Sequence, residues 1–366
     1  MQNRQLRILS LISGLMLTAL LPGCGLLYTA IIKSGISEKQ AWTDVDIRGL
    51  DPNMSNLTLA ISAVRVPFIL YKVGTNDFKL SMVNFERGRW VSVDIESPDF
   101  SPENPFSSCF ALDATGVPYA IYGGRIGNEE KIWLMKMEKN AWVFVGPQIV
   151  LGKKGSLFCS LALDVAEIPY VVYSDFDNNE HKHKLFVVKL EKGAWVSVGP
   201  SIYSLRDVAY PSLALNAAGT PYLAYMDFGY DARLSVVKLE GDTWVPVGPP
   251  GFSMKTDGYP SLALDAAGVP YVAYHGNEDS NFRLLVMKYE GDAWVFVGPP
   301  ETSPKWINYP SMILDATGVP HVAYLNYDFS GPKFWMTKVE GGNWVPVKPP
   351  DFSSEKAEPP PSVQKK

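Results

Sequence analysis

The sequence predicts an all-β fold, a six-bladed β-propeller built from four-stranded antiparallel blades. The first observation behind this prediction is a repeated unit of four short apolar runs, whose cleanest copy spans Tyr259–Gly298. The second is a pair of markers within the unit, a proline before the second run and a tryptophan at the start of the fourth. Both markers recur with a period of roughly fifty residues, which indicates repeated supersecondary units packed side by side.

Each marker occurs at six corresponding positions along the chain. The prolines are Pro67, Pro118, Pro169, Pro221, Pro270 and Pro320. The tryptophans are Trp90, Trp142, Trp195, Trp244, Trp294 and Trp344. Because two independent markers give the same count, six blades are predicted, with seven blades as the alternative.

Each apolar run of the unit is predicted to form one strand that ends at a turn. The runs of the cleanest copy are Ser261–Leu264, Tyr271–Tyr274, Leu284–Tyr289 and Trp294–Val297. Asp265 and Gly268 suit a type I turn that ends in a left-handed residue, and Gly291-Asp292 suits a primed hairpin turn. Glu167 replaces the turn glycine in the third copy, so a strained positive φ is expected there. The strands are apolar on both faces, so neighbouring copies must cover both sides of each sheet.

Residues 1–23 are predicted to be a lipoprotein signal peptide. Arg4 and Arg7 precede the apolar stretch Ile8–Leu21, and Leu21-Pro22-Gly23-Cys24 resembles the bacterial lipobox, in which the cysteine receives lipid. The resemblance implies a cell-envelope location, and Gly25 after the cysteine favours the outer membrane of a two-membrane bacterium. The alternative is an uncleaved membrane-spanning anchor.

The rest of the chain divides into three parts. Residues 24–40 are a predicted tether, residues 41–350 the predicted propeller, and residues 351–366 a predicted disordered tail with no apolar run. The stretch around Trp42 reads like an extra fourth strand. It is expected to close the ring beside or instead of the strand of Trp344.

The repeats resemble those of bacterial surface propellers related in fold to the fucose-specific lectins. The resemblance rests on LDAAGVPYVAY followed by RLLVMKYEGDAWVFVG and covers roughly residues 41–350. It implies a six-bladed fold, and sugar binding between blades through an arginine, an acidic residue and an aromatic residue. In this chain the basic residue of each repeat precedes the third strand.

A binding surface is predicted on the face where the loops vary in length, because the turns on the opposite face are short and uniform. The variable loops end in basic residues, namely Lys79, Lys131, Lys184, Arg233, Arg283 and Lys333. Asp227 and Asp279 are candidate acidic contacts in the same loops. These residues suit pockets for a polar ligand such as a glycan, and the alternative is a set of local ion pairs of small energy.

Three tyrosines add to this surface. Tyr210, Tyr259 and Tyr309 each precede a proline on the same face, near the predicted axis. Aromatic rings there either stack on a sugar or close the mouth of the central tunnel.

The sequence shows no recognisable nucleophile–base pair, so the chain is predicted not to be an enzyme, with an extracellular hydrolase as the alternative. No metal site or cofactor is predicted, because His181 and His183 lack further ligands and Glu180 stands where a calcium loop needs glycine. The net charge of −5 argues against a nucleic-acid partner.

Together these features predict a lipid-anchored binding module of the cell envelope, whose ligand is a glycan or an envelope protein. A structural scaffold for an envelope assembly is a further alternative. Divergent loops favour a protein partner or a single site, whereas the recurring terminal base favours repeated polar sites that gain avidity. The sequence gives no indication of the oligomeric state.

Cys109 and Cys159 fall on the innermost strands of adjacent repeats. Inner strands of neighbouring blades lie farther apart than paired strands, so buried free thiols are favoured over a disulfide.

Overall fold

The fold is described from a computed structural model. The structure describes residues 55–62, 66–73, 79–86, 89–93, 103–139, 141–152, 158–277, 282–300, 303–315, 317–328 and 331–347.

The first three blades follow one another along the chain. Blade 1 comprises β1 (Ser55–Ile61), β2 (Pro67–Val73), β3 (Lys79–Glu86) and β4 (Arg89–Val93). Blade 2 comprises β5 (Glu103–Leu112), β6 (Pro118–Ile126), β7 (Glu129–Glu138), β8 (Ala141–Phe144) and the short β9 (Ile149–Val150). Blade 3 comprises β10 (Cys159–Leu163), β11 (Pro169–Asp177), β12 (Lys182–Glu191) and β13 (Ala194–Ser197).

The last three blades repeat the pattern. Blade 4 comprises β14 (Val208–Leu215), β15 (Pro221–Asp227), a 3-10 turn (Phe228–Tyr230), β16 (Arg233–Glu240) and β17 (Thr243–Pro246). Blade 5 comprises β18 (Ser261–Leu264), β19 (Pro270–Gly276), β20 (Arg283–Glu290) and β21 (Ala293–Phe296). Blade 6 comprises β22 (Ile307–Leu314), β23 (Pro320–Asp328), β24 (Gly331–Glu340) and β25 (Asn343–Pro346).

The prediction of a six-bladed propeller is confirmed, and the seven-bladed alternative is wrong. Each blade is an antiparallel meander in sequence order, and in blade 2 the extra strand β9 pairs with β7. The first strand of each blade contacts the first strand of the next, and β1 contacts β22, so the ring closes between blades 1 and 6. The strand of Trp344 is the outer strand of blade 6.

The turns have the conformations that their residues predict. The Asp265 carboxylate accepts hydrogen bonds from the backbone N–H groups of Ala267 and Val269, at 2.9 Å each. Gly291 and Asp292 both have positive φ, as a primed hairpin requires. Glu167 has φ of 60°, which confirms the expected strain at this position.

The core lies between the blades, because each sheet buries both of its faces. Between blades 4 and 5, Val236 and Met226 pack against Tyr274 and Leu285. Tyr274 is fully buried. Corresponding clusters fill the other described junctions and hold the blades at fixed positions around the axis.

Serine hydroxyls connect neighbouring inner strands. The backbone N–H of Leu213 donates to Ser160 Oγ at 3.1 Å, and the N–H of Leu262 donates to Ser212 Oγ at 2.9 Å. At the next junction the N–H of Met312 donates to Ser261 Oγ at 2.9 Å. An inner strand has one edge with no pairing strand, so these serines supply an acceptor that its N–H groups would otherwise lack.

The marker tryptophans of the outer strands also connect blades. The indole N–H of Trp195 donates to Pro147 O at 2.7 Å, and that of Trp294 donates to Val247 O at 2.9 Å. In each case the acceptor belongs to the segment that leaves the preceding blade. In these two blades the tryptophan therefore ties its outer strand to the preceding blade.

Lysine and glutamate two residues apart form ion pairs beside the third turn of four blades, as their shared sheet face predicts. The pairs are Lys189–Glu191, Lys238–Glu240, Lys288–Glu290 and Lys338–Glu340, with N–O distances of 2.6 to 3.1 Å.

Several predictions concern residues outside the described part of the chain. They are the signal peptide, Cys24, the tether, the extra strand around Trp42 and the tail after residue 350. Within the described ranges, the structure has no helix with the length and apolar character needed to cross a membrane.

Candidate functional site

Three tyrosines have a strained backbone at the loop-side end of the inner strands. Tyr210, Tyr259 and Tyr309 have φ of 50°, 55° and 52°, a left-handed region that non-glycine residues rarely adopt. In blades 4 and 6 the strand register shifts at this point, between Ala209 and Ser212 and between Asn308 and Ser311. Such bulges redirect a side chain, and strained residues of this kind cluster at functional sites.

The redirected rings form a continuous row across four blades, which we call the aromatic row. It consists of Phe158 in blade 3, Tyr210 in blade 4, Tyr259 in blade 5 and Tyr309 in blade 6. Successive ring centroids are 4.1, 4.7 and 4.7 Å apart. Gly258 permits this approach, because a Cβ atom there would lie 2.6 Å from the Tyr210 ring.

The aromatic row occupies one side of the ring of blades. In the strand register, Asn56 and Ser107 hold the positions in blades 1 and 2 that Tyr259 holds in blade 5. Burial raises the pKa of the Tyr210 and Tyr309 phenols, so both hydroxyls stay protonated at neutral pH. The row therefore offers apolar ring faces together with neutral hydroxyl groups.

A carboxylate and an amide lie beside the row. The Asn277 side-chain amide donates to both carboxylate oxygens of Asp257 at 3.2 Å. Asp257 is exposed. Its charge contributes to the raised pKa of Tyr210, after burial and the influence of Tyr309. Asp257 thus places hydrogen-bond acceptors next to the rings.

His275 is buried behind this carboxylate. Only 2% of its surface is exposed, and its ring lies edge-on to Phe282 at 6.0 Å. Neither ring nitrogen has a hydrogen-bond partner among the residues that the structure describes. Burial lowers the pKa of His275, and the nearby charge of Asp257 opposes this shift only in part. The imidazole of His275 is therefore buried and neutral at neutral pH.

Replacing His275 with methionine is expected to remove part of the acid sensitivity of folding. The folded pKa of His275 lies below its unfolded value of about 6.5, so unfolding takes up a proton as the pH falls below that value. The stability from burying the neutral ring is complete above pH ~6.5 and declines as the pH falls toward the folded pKa. Urea unfolding measured at several pH values from neutral to mildly acidic will show this slope.

Methionine suits this test because Met226 holds the same register position in blade 4. His183, which is less buried, is the matched control position. An unchanged pH slope in His275→Met would contradict the assignment of the slope to His275.

Two of the predicted basic residues at the loop ends form ion pairs within their own loops. Lys131 pairs with Glu129 at 2.9 Å. Lys184 pairs with Asp177 and Glu180 at 2.7 Å each, and its hydrogen bond lowers the pKa of Asp177 to about 2. Where these lysines are described, they take part in local ion pairs.

The two arginines differ in their surroundings. Arg233 donates from Nη1 to Ser253 O at 2.8 Å, and Arg283 is partly buried at the start of β20. Asp227 is buried and accepts hydrogen bonds from Ser204, Ser235 and the N–H of Gly229. Asp227 therefore holds its own loop together.

The side chains of the remaining predicted site residues are not described by the structure. Lys79 and Lys333 lie on described strands, but their side chains are not described. Asp279 lies outside the described residues. In the ranges that the structure describes, no three histidine, cysteine or acidic side chains converge as metal ligands.

Sequence reasoning found the three tyrosines but missed Phe158, Asp257, Asn277 and the surroundings of His275. Phe158 could have been found, since it precedes Cys159-Ser160 as Tyr210 precedes Pro211-Ser212. Asp257 and Asn277 come from different loops of variable length, so no fixed spacing in the sequence predicts their contact.

The fold is shared with proteins that bind or act on carbohydrates. The arabinofuranosidase Arb93A from Fusarium graminearum, with an iminosugar inhibitor, matches at a TM-score of 0.55 and 12% identity, over 84% of this chain and 97% of that one. The SapL1 lectin in complex with alpha methyl fucoside matches at a TM-score of 0.54 and 13% identity, over 81% of this chain and 98% of that one. An ulvan lyase of polysaccharide lyase family PL25 matches at a TM-score of 0.51 and 14% identity, over 81% of each chain.

No protein-family model matches the sequence, and no curated protein matches it. At these identities the structural matches establish the propeller fold alone.

The comparisons correct the expectation that this chain is not an enzyme. The similar structures are mostly carbohydrate-active enzymes, including an arabinofuranosidase, an arabinanase and an ulvan lyase. That expectation is therefore wrong as an inference from the sequence. It rested on the lack of a local motif, and a propeller can draw catalytic groups from several blades that are distant in the chain.

Proposed function

We propose that this propeller binds a carbohydrate on the aromatic row. The observation that carries the proposal is the set of three tyrosines in left-handed conformation, whose rings meet at 4.7 Å across blades 4, 5 and 6. A sugar ring has apolar C–H faces and a rim of hydroxyl groups. The faces of the tyrosine rings can stack on the C–H faces of the sugar. The phenol hydroxyls and the Asp257–Asn277 pair can form hydrogen bonds with its hydroxyl groups.

The comparisons support this proposal at the level of the fold. The SapL1 lectin carries a fucoside and the ulvan lyase carries a -[GlcA(1-4)Rha3S]- glycan in their structures. Proteins of similar fold but different activity thus recognise carbohydrates.

Cleavage of the bound carbohydrate is a second candidate function, and the Asp257–His275 neighbourhood favours it. Asp257 is an exposed carboxylate beside the row, and His275 is a neutral base in its electrostatic field. A carboxylate and a neutral imidazole are suitable groups for proton transfer in the breaking of a glycosidic bond.

The decisive experiment is a glycan array probed with the full chain purified in detergent, followed by incubation of any bound glycan with the protein. Release of reducing ends detects cleavage, and ultraviolet absorbance detects the unsaturated product of a lyase. Binding without product supports recognition alone, and binding with product supports the second candidate. Failure to bind any glycan in the array, by protein that is folded, would contradict both.

We further propose that the propeller is presented at the cell envelope by lipid attached to Cys24. The proposal rests on the order of charged, apolar and lipobox-like segments at the N-terminus. Cys24→Ala is expected to leave the signal uncleaved and to abolish labelling by a fatty-acid analogue in growing cells. Cys159→Ser is the matched control and should be labelled normally, whereas unchanged labelling of Cys24→Ala would contradict the proposal.

A further inference from the structure

Cys109 and Cys159 lie side by side between blades 2 and 3. They belong to the inner strands β5 and β10, and their Sγ atoms are 2.7 Å apart although the residues are 50 positions apart in the chain. The two sulfur atoms are not joined by a disulfide bond in this structure. The expectation that inner strands hold them too far apart is nevertheless wrong. A disulfide bond is about 2.0 Å long, so a small movement of the two side chains brings the sulfur atoms to bonding distance.

The residues that correspond to Cys109 in the other blades show the structural role of this position. Cys109 pairs with Ile121 in the strand register, as Ser160 pairs with Val172 and Ser212 with Ala224. Cys109 therefore holds the position of the serines that connect neighbouring inner strands at later junctions. Between blades 2 and 3 the Cys109 thiol, at the serine position, meets the thiol of Cys159, which is at the position of Pro211 in blade 4.

We propose that Cys109 and Cys159 form a disulfide that joins blade 2 to blade 3 when the protein meets an oxidant of the organic-disulfide class. Cys159 is the more exposed residue, so its thiolate attacks the organic disulfide first. This step forms a mixed disulfide and releases one thiol. Cys109 then gives up its proton, attacks the Sγ of Cys159 and displaces the second thiol. The protein loses two protons and two electrons, and the organic disulfide gains them.

The surroundings make this pairing selective. Cys109 is buried among Ile121, Leu134, Leu161 and Val171, away from reagents in water. Burial raises the pKa of the Cys109 thiol, with further contributions from Cys159, so it forms little thiolate on its own. The sulfur within its reach is that of Cys159, which directs the second step to the intramolecular bond.

The test uses the full chain with Cys24→Ser, so that the third cysteine of the sequence does not contribute. The folded protein is treated with excess oxidised glutathione, unfolded in an alkylating agent, digested with trypsin and analysed by mass spectrometry. We expect the peptides of Cys109 and Cys159 to be linked before reduction, and separate after it. Because the disulfide closes the chain segment between Cys109 and Cys159 into a loop, it should raise the melting temperature of the protein by about 5 °C.

Cys109→Ser is the matched variant, because serine is the residue at this register position in blades 3, 4 and 5. It should fold, and its melting temperature should not respond to the oxidant. Complete alkylation of both cysteines after oxidation, linkage only between different chains, or an oxidant response in Cys109→Ser equal to that of the parent would each overturn the proposal.

Discussion

Replacing Tyr259 with alanine is expected to weaken glycan binding about 30-fold or more, with little loss of stability. Tyr259 is the central tyrosine of the row, with Tyr210 and Tyr309 each 4.7 Å away, and 37% of its surface is exposed. A central aromatic anchor commonly contributes about 2 kcal/mol or more to binding. Alanine has a similar cost at positive φ, so the backbone strain of the folded protein stays nearly the same.

Isothermal titration with a glycan identified on the array measures this loss. Tyr259→Phe keeps the ring face and removes the hydroxyl, so its affinity separates stacking from hydrogen bonding. Tyr203→Ala is the matched control, because Tyr203 is 61% exposed and lies outside the row, between blades 3 and 4. Equal affinity of Tyr259→Ala and the parent protein would remove the row from the binding site.

Gly248→Ala is expected to lower the free energy of unfolding by about 3 kcal/mol. Gly248 has φ of 74°, and a Cβ atom there would lie 2.8 Å from the Tyr289 ring and 2.9 Å from Trp294 Nε1. The indole would have to move, which strains its hydrogen bond to Val247 O. An L residue at positive φ costs about 1 kcal/mol, and overpacking adds roughly 1 to 3 kcal/mol.

Gly241→Ala separates the two costs. Gly241 also has positive φ, at 59°, but no atom lies within 4 Å of the position of a Cβ atom. Its loss should be about 1 kcal/mol, from backbone strain alone. Chemical denaturation of the two variants in parallel gives the difference, and similar losses in both would show that the tryptophan contact between blades contributes little.

The blades were predictable because their determinants are local and repeated. Pro270 and Trp294 recur at fixed spacing, and turn residues such as Asp265 specify the tight turns without help from the rest of the fold. Because six copies share the same local pattern, a single departure such as Glu167 in the third copy does not change the number of blades that is predicted.

The site was predictable only in part, because its contacts depend on how blades sit beside one another. The tyrosines recur in the repeat and were identified, but ring contact needs the register shift and the positive φ of the folded strands. The persistent loop-end bases suggested repeated pockets, whereas Lys184 is held by the neighbouring Asp177 and Glu180. The Asp257–Asn277 pair joins two loops that the sequence separates by the inner hairpin of blade 5.

The unequal ends of the aromatic row give the surface a polarity. Phe158 begins the row with a ring that has no hydroxyl, and Tyr309 ends it with a phenol. A linear molecule laid along the row meets different chemistry at its two ends, so its two orientations differ in energy. The described residues form one such row. If the row is the binding site, we expect one linear molecule to bind per chain, in one preferred direction.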